Sequence, residues 1–552
     1  MIDESFPMID NPRDPGVVYT RSWVVDLMLD IIGYTSDRPL YRSSILEPSC
    51  GEGAFLTAIV RRLCSSKGFS ECSVEDLSDC ICAVDLVPDS IEKCRADIIE
   101  ILISYGMSES DSDHLAGQWL RAEDYLLKSY SDFDFVVGNP PYVSSDEIPK
   151  NLREDYCSRL STVTMGTDLY VGFIENSLLS LGKDGKVCFI CSDRWMQNSY
   201  GSKLRGFVSD GYHLDLICRM HDVDAFESEV SAYPAIIVLD RNESTECRYV
   251  VCDGKFSNND AHSLKSALIG MDHDNKHFQM SSISIHGSRP WPLSSLENLR
   301  LVDYMRLGFP SIEDTGVKIG IGVATGKDDV YIITDPDLID PDRLLPLIKK
   351  EDIVEGNVPE SPVHWLVNPW NADGTLIDLA QYPLTGSYLN DHKESLAKRH
   401  VAKKNQSMWY RTIDKVHDGL MSRPKLLLQD MSSLPDPYYD DGRYYPSHNM
   451  YWMTSDNWSL KVLGGILLSD QVARFIDAVG VKMRGNTMRC QAQYLRMLHI
   501  PTYESIEPSQ KDALANAFEN RDRALATSIM QEILFGGKDY ERRYEEGPVE
   551  VL

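Results

Sequence analysis

The chain contains 552 residues, which is more than one compact core usually holds, so we expect at least two domains. Hydrophobic residues make up 43% of it and charged residues 25%, values that exclude a collagen-like, mucin-like or wholly disordered chain. The formal net charge of -29, taken as a whole, argues against a nucleic-acid partner, because phosphate binding normally requires a basic surface.

The N-terminal sequence and the cysteines indicate a reduced, cytoplasmic protein. The opening MIDESFPMIDNPRD is acidic and has no apolar core of signal-peptide length, and no apolar run approaches the ~18 residues that cross a bilayer. Several of the 13 cysteines lie in apolar, strand-like runs, where cysteine behaves as a small hydrophobe. Cys188 and Cys191 form a lone CxxC without a second pair or a nearby histidine set, so we expect no metal site.

Helical and strand-like segments alternate from Val17 to Leu239. In chain order they are helix Val17–Gly33, strand Ser43–Leu46, helix Ala54–Leu63, strands Cys80–Leu86 and Phe133–Val137, helix Leu169–Leu181, and strands Lys186–Cys191, Leu214–Arg219 and Ala235–Leu239. This alternation predicts an α/β fold with a doubly wound, mostly parallel, Rossmann-like sheet.

The composition changes after residue 250. Residues Asn258–Ser288 are rich in polar side chains, which predicts a linker or surface excursion over 251–290. From Trp291 onward, short aromatic-rich runs and prolines precede a final helical stretch, Ser509–Leu534, which indicates a mixed α+β domain. We therefore predict one domain over 1–250 and a second over 291–552.

A glycine-containing turn, Glu47 to Gly53, follows the first strand and precedes a helix. Its glycines allow a tight turn, and the start of the helix offers free N–H groups. The turn lacks the G-x-G-x-x-G pattern of phosphate-binding loops, and its acids, Glu47 and Glu52, suit a cationic or zwitterionic ligand instead. Asp85 ends the next strand, where an acid can accept hydrogen bonds from ribose hydroxyls. These features favour an adenosine-containing cofactor, although they also occur in other α/β folds.

The tetrapeptide Asn139-Pro140-Pro141-Tyr142 comes directly after the apolar strand Phe133–Val137. The carboxyl ends of parallel strands are where open α/β sheets bind ligands. The two prolines remove two N–H donors and leave carbonyl oxygens free, while the asparagine adds a further carbonyl and the tyrosine a flat ring. Two acceptors beside an aromatic face predict a receptor for a planar amine such as that of adenine. The alternative is a Pro-Pro turn with a chance aromatic residue.

These motifs resemble those of the amino-methylating DNA methyltransferases of restriction–modification systems. The resemblance is to TaqI-like N6-adenine enzymes of the gamma-class order, which have the cofactor motif first and the target-recognition region at the C-terminus. It implies S-adenosyl-L-methionine as the cofactor, a methyltransferase domain over 1–250 and a DNA target-recognition domain over 291–552. The implied cofactor-binding residues are Thr20 in an N-terminal motif, Glu47, Ser49 and Gly51 in the methionine-binding turn, Asp85 at the ribose, Asp124 and Tyr125 at the cofactor adenine, and Asn139.

The same resemblance implies how a target adenine is held. The base is stacked inside duplex DNA, so it must be flipped out of the helix before it can react. The implied catalytic residues are Asn139, Pro140, Pro141, Tyr142 and Phe226. The side chain of Asn139 and the carbonyl of Pro140 hold the amine, while two aromatic rings sandwich the base, with Tyr233 as the alternative to Phe226. No general base is needed before attack, because the lone pair of the amine attacks the methyl group and the proton leaves afterwards.

The acidic charge is unevenly distributed. Residues 1–250 hold 22 Lys and Arg against 42 Asp and Glu, whereas Lys393–Lys425 holds nine basic residues and three acids, interleaved with Trp409 and Tyr410. A second stretch, Lys482–Arg496, has four basic residues and no acid. Basic residues in this pattern predict contacts with double-stranded DNA, and a solvated charged face is the alternative. The candidate DNA-binding residues are Lys403, Lys404, Arg411, Arg484 and Arg489.

Several other functions are compatible with parts of the sequence. An RNA adenine methyltransferase is one alternative, and a non-catalytic, sequence-specific DNA-binding subunit is another; the latter predicts decay of the cofactor turn or the tetrapeptide, and both are intact. Asn-Pro-Pro-Tyr also serves glutamine methylation in release factors, but those chains lack a large C-terminal domain with a basic window. Amino-cytosine enzymes usually carry Ser or Asp in place of Asn139. We expect any restriction endonuclease or other defence protein to be a separate polypeptide.

Overall fold

The computed structural model describes residues 18–228, 233–271, 275–291, 293–354, 357–417, 419–432, 434–480, 488–536 and 549–550. The chain divides into two compact units, one formed by Met1–Pro292 with Pro548–Leu552 and the other by Leu293–Gly547. Among the described residues, no helix combines the length and apolar character needed to span a membrane.

The first unit is built around a ten-stranded sheet. Its strands are β1 (Ile45–Glu47), β2 (Ile81–Asp85), β3 (Leu120–Ala122), β4 (Phe133–Gly138), β5 (Leu181–Ser192), β6 (His213–Arg219), β7 (Pro234–Asp240), β8 (Glu246–Cys252), β9 (Phe278–Ser284) and the late strand β20 (Val549–Glu550). They lie in the order β20-β9-β8-β6-β7-β5-β4-β1-β2-β3. Pairing is parallel from β3 to β5, and β7 lies antiparallel between β5 and β6. The predicted α/β fold with a mostly parallel sheet is confirmed: six strand pairs are parallel, and the antiparallel pairs are those of β7 with β5 and β6 and of β9 with β8.

Helices of the first unit cover the sheet with apolar faces. They are α1 (Ser22–Ile32), α2 (Ala54–Cys64), α3 (Val74–Leu77), α4 (Pro88–Ser104), α5 (Glu109–Trp119), α6 (Lys150–Arg159), α7 (Leu169–Ser180), α8 (Arg194–Gln197), α9 (Ser202–Gly211) and α10 (Asn258–Leu268). In α2, the buried Phe55, Ile59 and Leu63 recur at helical spacing and line one face, while Arg61 is exposed on the other. Burial of this face fixes the helix that begins at the glycine turn.

The segment predicted to be a linker, 251–290, is part of the first unit. It contains the end of β8, helix α10 and strand β9, and β9 pairs antiparallel with β8. Its polar composition misled the prediction because α10 is amphipathic: Ala261, Leu264 and Ala267 are buried, and polar residues occupy much of the rest of the helix. A helix that covers a sheet with one narrow face needs few apolar residues.

The second unit mixes helices with small sheets, as the sequence predicts. Its helices are α11 (Leu296–Gly308), α12 (Asp328–Tyr331), α13 (Pro383–Asp391), α14 (Lys393–Ala397), α15 (His400–Lys404), α16 (Leu460–Leu468), α17 (Asp470–Val479), α18 (Ala492–Leu495), α19 (Pro508–Glu519) and α20 (Arg523–Phe535). Its strands are β10 (Val317–Ile321), β11 (Ile332–Ile333), β12 (Leu344–Ile348), β13 (His364–Val367), β14 (Lys425–Gln429), β15 (Met431–Ser432), β16 (Tyr438–Asp440), β17 (Tyr445–Pro446), β18 (Met450–Ser455) and β19 (Met488–Arg489). They form sheets in the orders β10-β18-β14-β16, β11-β13-β12-β17 and β15-β19.

The final helical stretch, predicted as Ser509–Leu534, is two helices. Between α19 and α20 the backbone of Arg521 adopts a positive φ of 55°, which a continuous α-helix does not allow. The side chain of Asp522 then caps α20 by accepting a hydrogen bond from the Leu525 N–H at 2.9 Å.

Candidate active site

The carboxyl ends of β1, β2 and β4 lie side by side in the sheet. Strand β1 sits between β2 and β4, so the turn that starts at Glu47 is flanked by Asp85 on one side and by Asn139 on the other. The connections leave β1 and β4 toward opposite parts of the sheet, which makes this a topological switch point where α/β sheets bind ligands. The structure therefore brings the predicted cofactor turn and the predicted amine receptor to one edge.

The glycine turn is held open by two backbone conformations that favour glycine. Gly51 has a φ of 49° and Gly53 a φ of 88°. A Cβ atom on Gly53 would lie 3.2 Å from the Cys94 sulfur, whereas one on Gly51 would meet nothing within 4 Å. The N–H of Gly51 donates to Asp85 at 2.8 Å, and the N–H of Val87 donates to the other carboxylate oxygen at 2.9 Å. Asp85 is thereby oriented by the backbone and keeps further lone pairs for a ligand.

Glu47 is buried at the start of this turn. Glu47 is only 1% exposed, and its Oε2 has no hydrogen-bond partner among the described residues. Burial, with Cys94 and Asp85 nearby, raises the pKa of Glu47 well above its usual range. A buried carboxyl oxygen without a partner among the described residues is costly, which makes Glu47 a candidate for contact with a ligand.

Asn139 presents an unpartnered acceptor. Its Nδ2 donates to the Val18 carbonyl at 2.8 Å and lies 3.2 Å from the Thr20 hydroxyl oxygen. Because a carbonyl only accepts, the Nδ2 must face Val18, and the Oδ1 points away from both contacts. That Oδ1 is buried without a partner among the described residues. Ser49 donates to the main-chain carbonyl of Asn139 at 3.2 Å, which ties the tetrapeptide to the glycine turn.

The rings of Tyr142 and Phe226 meet beside Asn139. Their centroids are 6.3 Å apart and their planes are inclined by 84°, an edge-to-face contact. A base sandwiched between two rings requires both ring faces to be parallel to it, so the predicted sandwich is not the arrangement in this structure. One ring can offer its face to a planar group while the other contacts that group edge-on.

Phe226, rather than Tyr233, is the aromatic residue next to the tetrapeptide. Its backbone forms an antiparallel bridge with Thr20, and the adjacent Ala225 carbonyl accepts from the Arg21 N–H at 3.0 Å. The ring of Tyr233 is engaged elsewhere: the Arg194 guanidinium lies 5.0 Å from its centroid, and the His221 ring packs at 4.9 Å.

The structure contradicts one predicted cofactor contact. Tyr125 is buried among protein rings, stacked on Tyr130 at 5.1 Å and packed against Phe173 at 5.2 Å, and its hydroxyl lies 2.9 Å from that of Ser177. The ring is therefore a core residue and cannot pack on a cofactor. Its neighbour Asp124 stays half-buried and accepts hydrogen bonds from the Leu126 N–H at 2.9 Å and from the hydroxyl of Tyr156 at 2.7 Å.

Tyr156 contacts the candidate cofactor residue Asp124, and the sequence did not predict this contact. The sequence gives no signal for this contact, because α6 is distant from Asp124 along the chain and contains no recognisable motif. Burial raises the pKa of Asp124, while the hydrogen bond from Tyr156 opposes that shift.

The basic window of the second unit divides into structural and exposed cations. Lys425 is fully buried in an ion pair with Asp440 at 2.7 Å, and Arg399 donates to four main-chain carbonyls. Lys398 pairs with Glu394 at 2.7 Å. Lys425 and Arg399 stabilise the fold and Lys398 is paired on the surface, so the charge count of the window overstates what is available to a partner.

The predicted DNA-binding residues differ in their surroundings. Lys403 and Lys404 are exposed on α15, and neither forms an ion pair within the described part of the chain. Arg411 packs its guanidinium 5.7 Å from the Trp370 ring and donates to local carbonyls. Arg484 lies outside the described residues, and for Arg489 only the strand assignment, β19, is described.

Cys188 and Cys191 are buried free thiols in β5. In the described segments, no group of three or more His, Cys, Asp or Glu side chains is arranged to hold a metal ion.

Comparisons with known proteins give the family of the chain and its similarity in fold. A family model described as Eco57I restriction-modification methylase matches residues 71–226. The Type II methyltransferase M.PaeR7I of Pseudomonas aeruginosa is 39% identical over 92% of this chain and 89% of its own length. The Type II methyltransferase M.BstVI of Geobacillus stearothermophilus is 38% identical over 94% and 96%. The Type IIL restriction-modification enzyme MmeI, solved in complex with DNA, is similar in fold, with a TM-score of 0.54 at 13% identity over 94% of this chain and 74% of that one.

Proposed function

Because the chain belongs to the Type II methyltransferases of restriction–modification systems, we propose that it methylates the exocyclic N6 amino group of an adenine flipped out of duplex DNA. The methyl donor is S-adenosyl-L-methionine. One observation carries the proposal: the buried Oδ1 of Asn139 has no partner among the described residues, and Asn139 is followed by two prolines without N–H groups and by Tyr142.

The geometry suits an amine that must act as a nucleophile. Asn139 Oδ1 and the Pro140 carbonyl can each accept one hydrogen of the amine, which localises its lone pair on nitrogen. Tyr142 offers a ring for the base, and Phe226 contacts it edge-on. Position and orientation supply most of the acceleration in such a displacement, up to ~7–11 kcal/mol in favourable cases.

The glycine turn is proposed to bind the cofactor. The residues fit S-adenosyl-L-methionine, since Glu47 has an unpartnered buried carboxyl oxygen suited to a cationic group, and Asp85 is oriented toward the turn with lone pairs left over. Thr20 and Ser49 contact Asn139 directly and so link the two halves of the site. When bound, the cofactor supplies an electrophilic methyl group. Asp124 remains the proposed partner of the cofactor adenine, and Tyr125 is no longer proposed to contact it.

The central test is methyl transfer itself. The full-length protein is incubated with labelled S-adenosyl-L-methionine and unmethylated plasmid, and modified bases are mapped by sequencing. We expect label on N6 of adenines at one recurring sequence. Label in RNA but not in plasmid would favour the RNA methyltransferase, and sequence-specific DNA binding without label would favour a non-catalytic subunit.

Loss of the Phe226 ring is expected to lower kcat more than loss of the Tyr233 ring. In the Phe226→Leu variant we expect kcat to fall by about two- to tenfold, because an aromatic contact of this kind contributes about 0.5–1.5 kcal/mol beyond its buried area. The matched variant Tyr233→Leu removes a ring that is not beside Tyr142, so a smaller effect is expected. Steady-state kinetics on one DNA duplex measures both, and an equal or larger loss for Tyr233→Leu would contradict the assignment.

DNA binding is proposed to use the exposed lysines of α15. In the Lys403→Ala variant we expect weaker DNA binding. The slope of log Kd against log salt concentration is expected to be shallower by about 0.9, which is the value for one lost phosphate contact. Lys398→Ala is the control, because it makes the same charge change in the same segment but removes a lysine already paired with Glu394. Fluorescence anisotropy at several salt concentrations gives both slopes. Equal slopes for the two variants would show that Lys403 contacts no phosphate.

A further inference from the structure

A buried charged cluster lies beside the candidate active site. Asp193 follows the last residue of β5, and its Oδ2 lies 2.6 Å from His221 Nε2 and 3.4 Å from Arg219 Nε. The Arg219 Nη2 lies 3.1 Å from His221 Nδ1, and its Nη1 donates to the hydroxyl of Tyr249 at 3.2 Å. The cluster joins residues at the ends of β5 and β6 to one in β8, across the start of β7.

The donors and acceptors fix the protonation of His221. A guanidinium only donates, so Nδ1 must accept from Arg219, and the ring hydrogen is on Nε2, where it is donated to Asp193. Burial by itself raises the pKa of Asp193, but its contacts with His221 and then with Arg219 outweigh burial and hold the pKa below its usual range. The other groups facing the ring are Tyr233, at 4.9 Å, and beyond it Arg194.

His221 stands at the start of the turn that carries Phe226. This segment, residues 220–227, which we name the Phe226 turn, begins where the Met220 N–H donates to the Pro234 carbonyl at 2.9 Å. At its far end the Glu227 N–H donates to the Tyr19 carbonyl at 3.0 Å. The contact of His221 with Asp193 is the side-chain anchor at its near end, and the Asp193 N–H donates to the Tyr233 carbonyl at 3.0 Å.

We propose that His221 is a positioning residue for methyl transfer: as the neutral Nε2–H tautomer between Asp193 and Arg219, it holds the Phe226 turn against Tyr142. The inference rests on the proposed function, because it concerns the ring that contacts the target base. The two contacts hold the ring from both sides, since Nε2 donates to Asp193 and Nδ1 accepts from Arg219. His221 acts through the position of the Phe226 ring, because it touches no reacting atom.

Two variants of the full-length protein separate positioning from folding. His221→Phe keeps a flat ring against Tyr233 but loses both hydrogen bonds, and we expect kcat to fall by about 10²-fold, the effect of a misplacement of about 1 Å. Cofactor affinity, measured by calorimetry, is expected to stay unchanged. His221→Gln can donate to Asp193 and accept from Arg219, so it is expected to restore most of kcat.

The outcomes decide the inference independently of the activity assignment. A wild-type kcat in His221→Phe, or a kcat in His221→Gln as low as that expected for His221→Phe, overturns it. If His221→Phe does not fold, the Gln variant alone decides. Nitrogen NMR of histidine-labelled protein, with the His221 signal identified by its loss in His221→Gln, is expected to show a neutral ring protonated at Nε2. Failure of the wild type to methylate adenine would reject the proposed function instead, and would leave that NMR test standing.

Discussion

Replacing Asn139 with alanine is expected to lower kcat for methyl transfer by about 10²–10³-fold, the loss seen when one preorganised polar group is removed from a reacting centre. The variant loses the Oδ1 that is proposed to accept from the target amine, and also the donor to Val18 and Thr20. DNA affinity is expected to change little, because phosphate contacts elsewhere in the chain supply most of it. Single-turnover kinetics on a duplex with one site measures the chemical step.

Two further variants identify which part of the amide matters. Asn139→Asp keeps an acceptor but cannot donate to the Val18 carbonyl, so an intermediate rate is expected. Asn520→Ala is the control, because that exposed asparagine bonds only locally to Asn516 at the end of α19 in the second unit. An Asn139→Ala variant with wild-type kcat would remove the basis of the proposed function.

The features that the sequence predicted well are local ones. The glycine turn and the tetrapeptide each occupy a few consecutive residues between a strand and a helix or loop, so their type and position follow from adjacent residues. Because the carboxyl ends of neighbouring parallel strands share an edge, the proximity of Asp85 and Asn139 to Glu47 could also be expected. Fold class follows from the same alternation and is confirmed.

What the sequence could not supply depends on distant contacts. The bridge between Thr20 and Phe226 joins residues about 200 positions apart, and the pattern of neither segment encodes it. The prediction for Tyr125 was wrong because a side chain in a short turn can point toward the site or into the core. The ring of Tyr125 points into the core. Charge counts likewise cannot tell a cation that binds a partner from one, such as Lys425, that is buried in the fold.

These misses have a common physical cause. A buried polar group must find a partner, and which partner it finds is settled by packing between elements rather than by its neighbours in the chain. The cluster around Asp193 is an example, since its members lie in or directly after three different strands. Asn139 and Glu47 each have a buried polar atom without a partner among the described residues. The energetic cost of burying these atoms falls at the site proposed to bind ligands.

Replacing Glu47 with glutamine is expected to weaken binding of S-adenosyl-L-methionine while stabilising the ligand-free protein. The carboxylate is proposed to face a cationic group of the cofactor, and losing one partner of a buried charge pair costs about 2–5 kcal/mol. In the ligand-free protein the same carboxyl is buried without a partner on Oε2, so a neutral amide removes a penalty and is expected to add about 0.5–2 kcal/mol of stability. Calorimetric titration and thermal unfolding measure the two effects.

The pH dependence of both quantities follows from the raised pKa of Glu47. The folded protein holds this proton more tightly than the unfolded chain, so the group's contribution to stability is lost as the pH rises from the unfolded pKa through the folded one. Cofactor binding needs the ionised form and therefore tightens over the same range. Glu47→Gln is expected to abolish both trends, and Glu52→Gln is the control, because Glu52 lies in the same turn but is exposed and paired with Lys93. Unchanged cofactor affinity in Glu47→Gln would show that this carboxyl faces no cationic group.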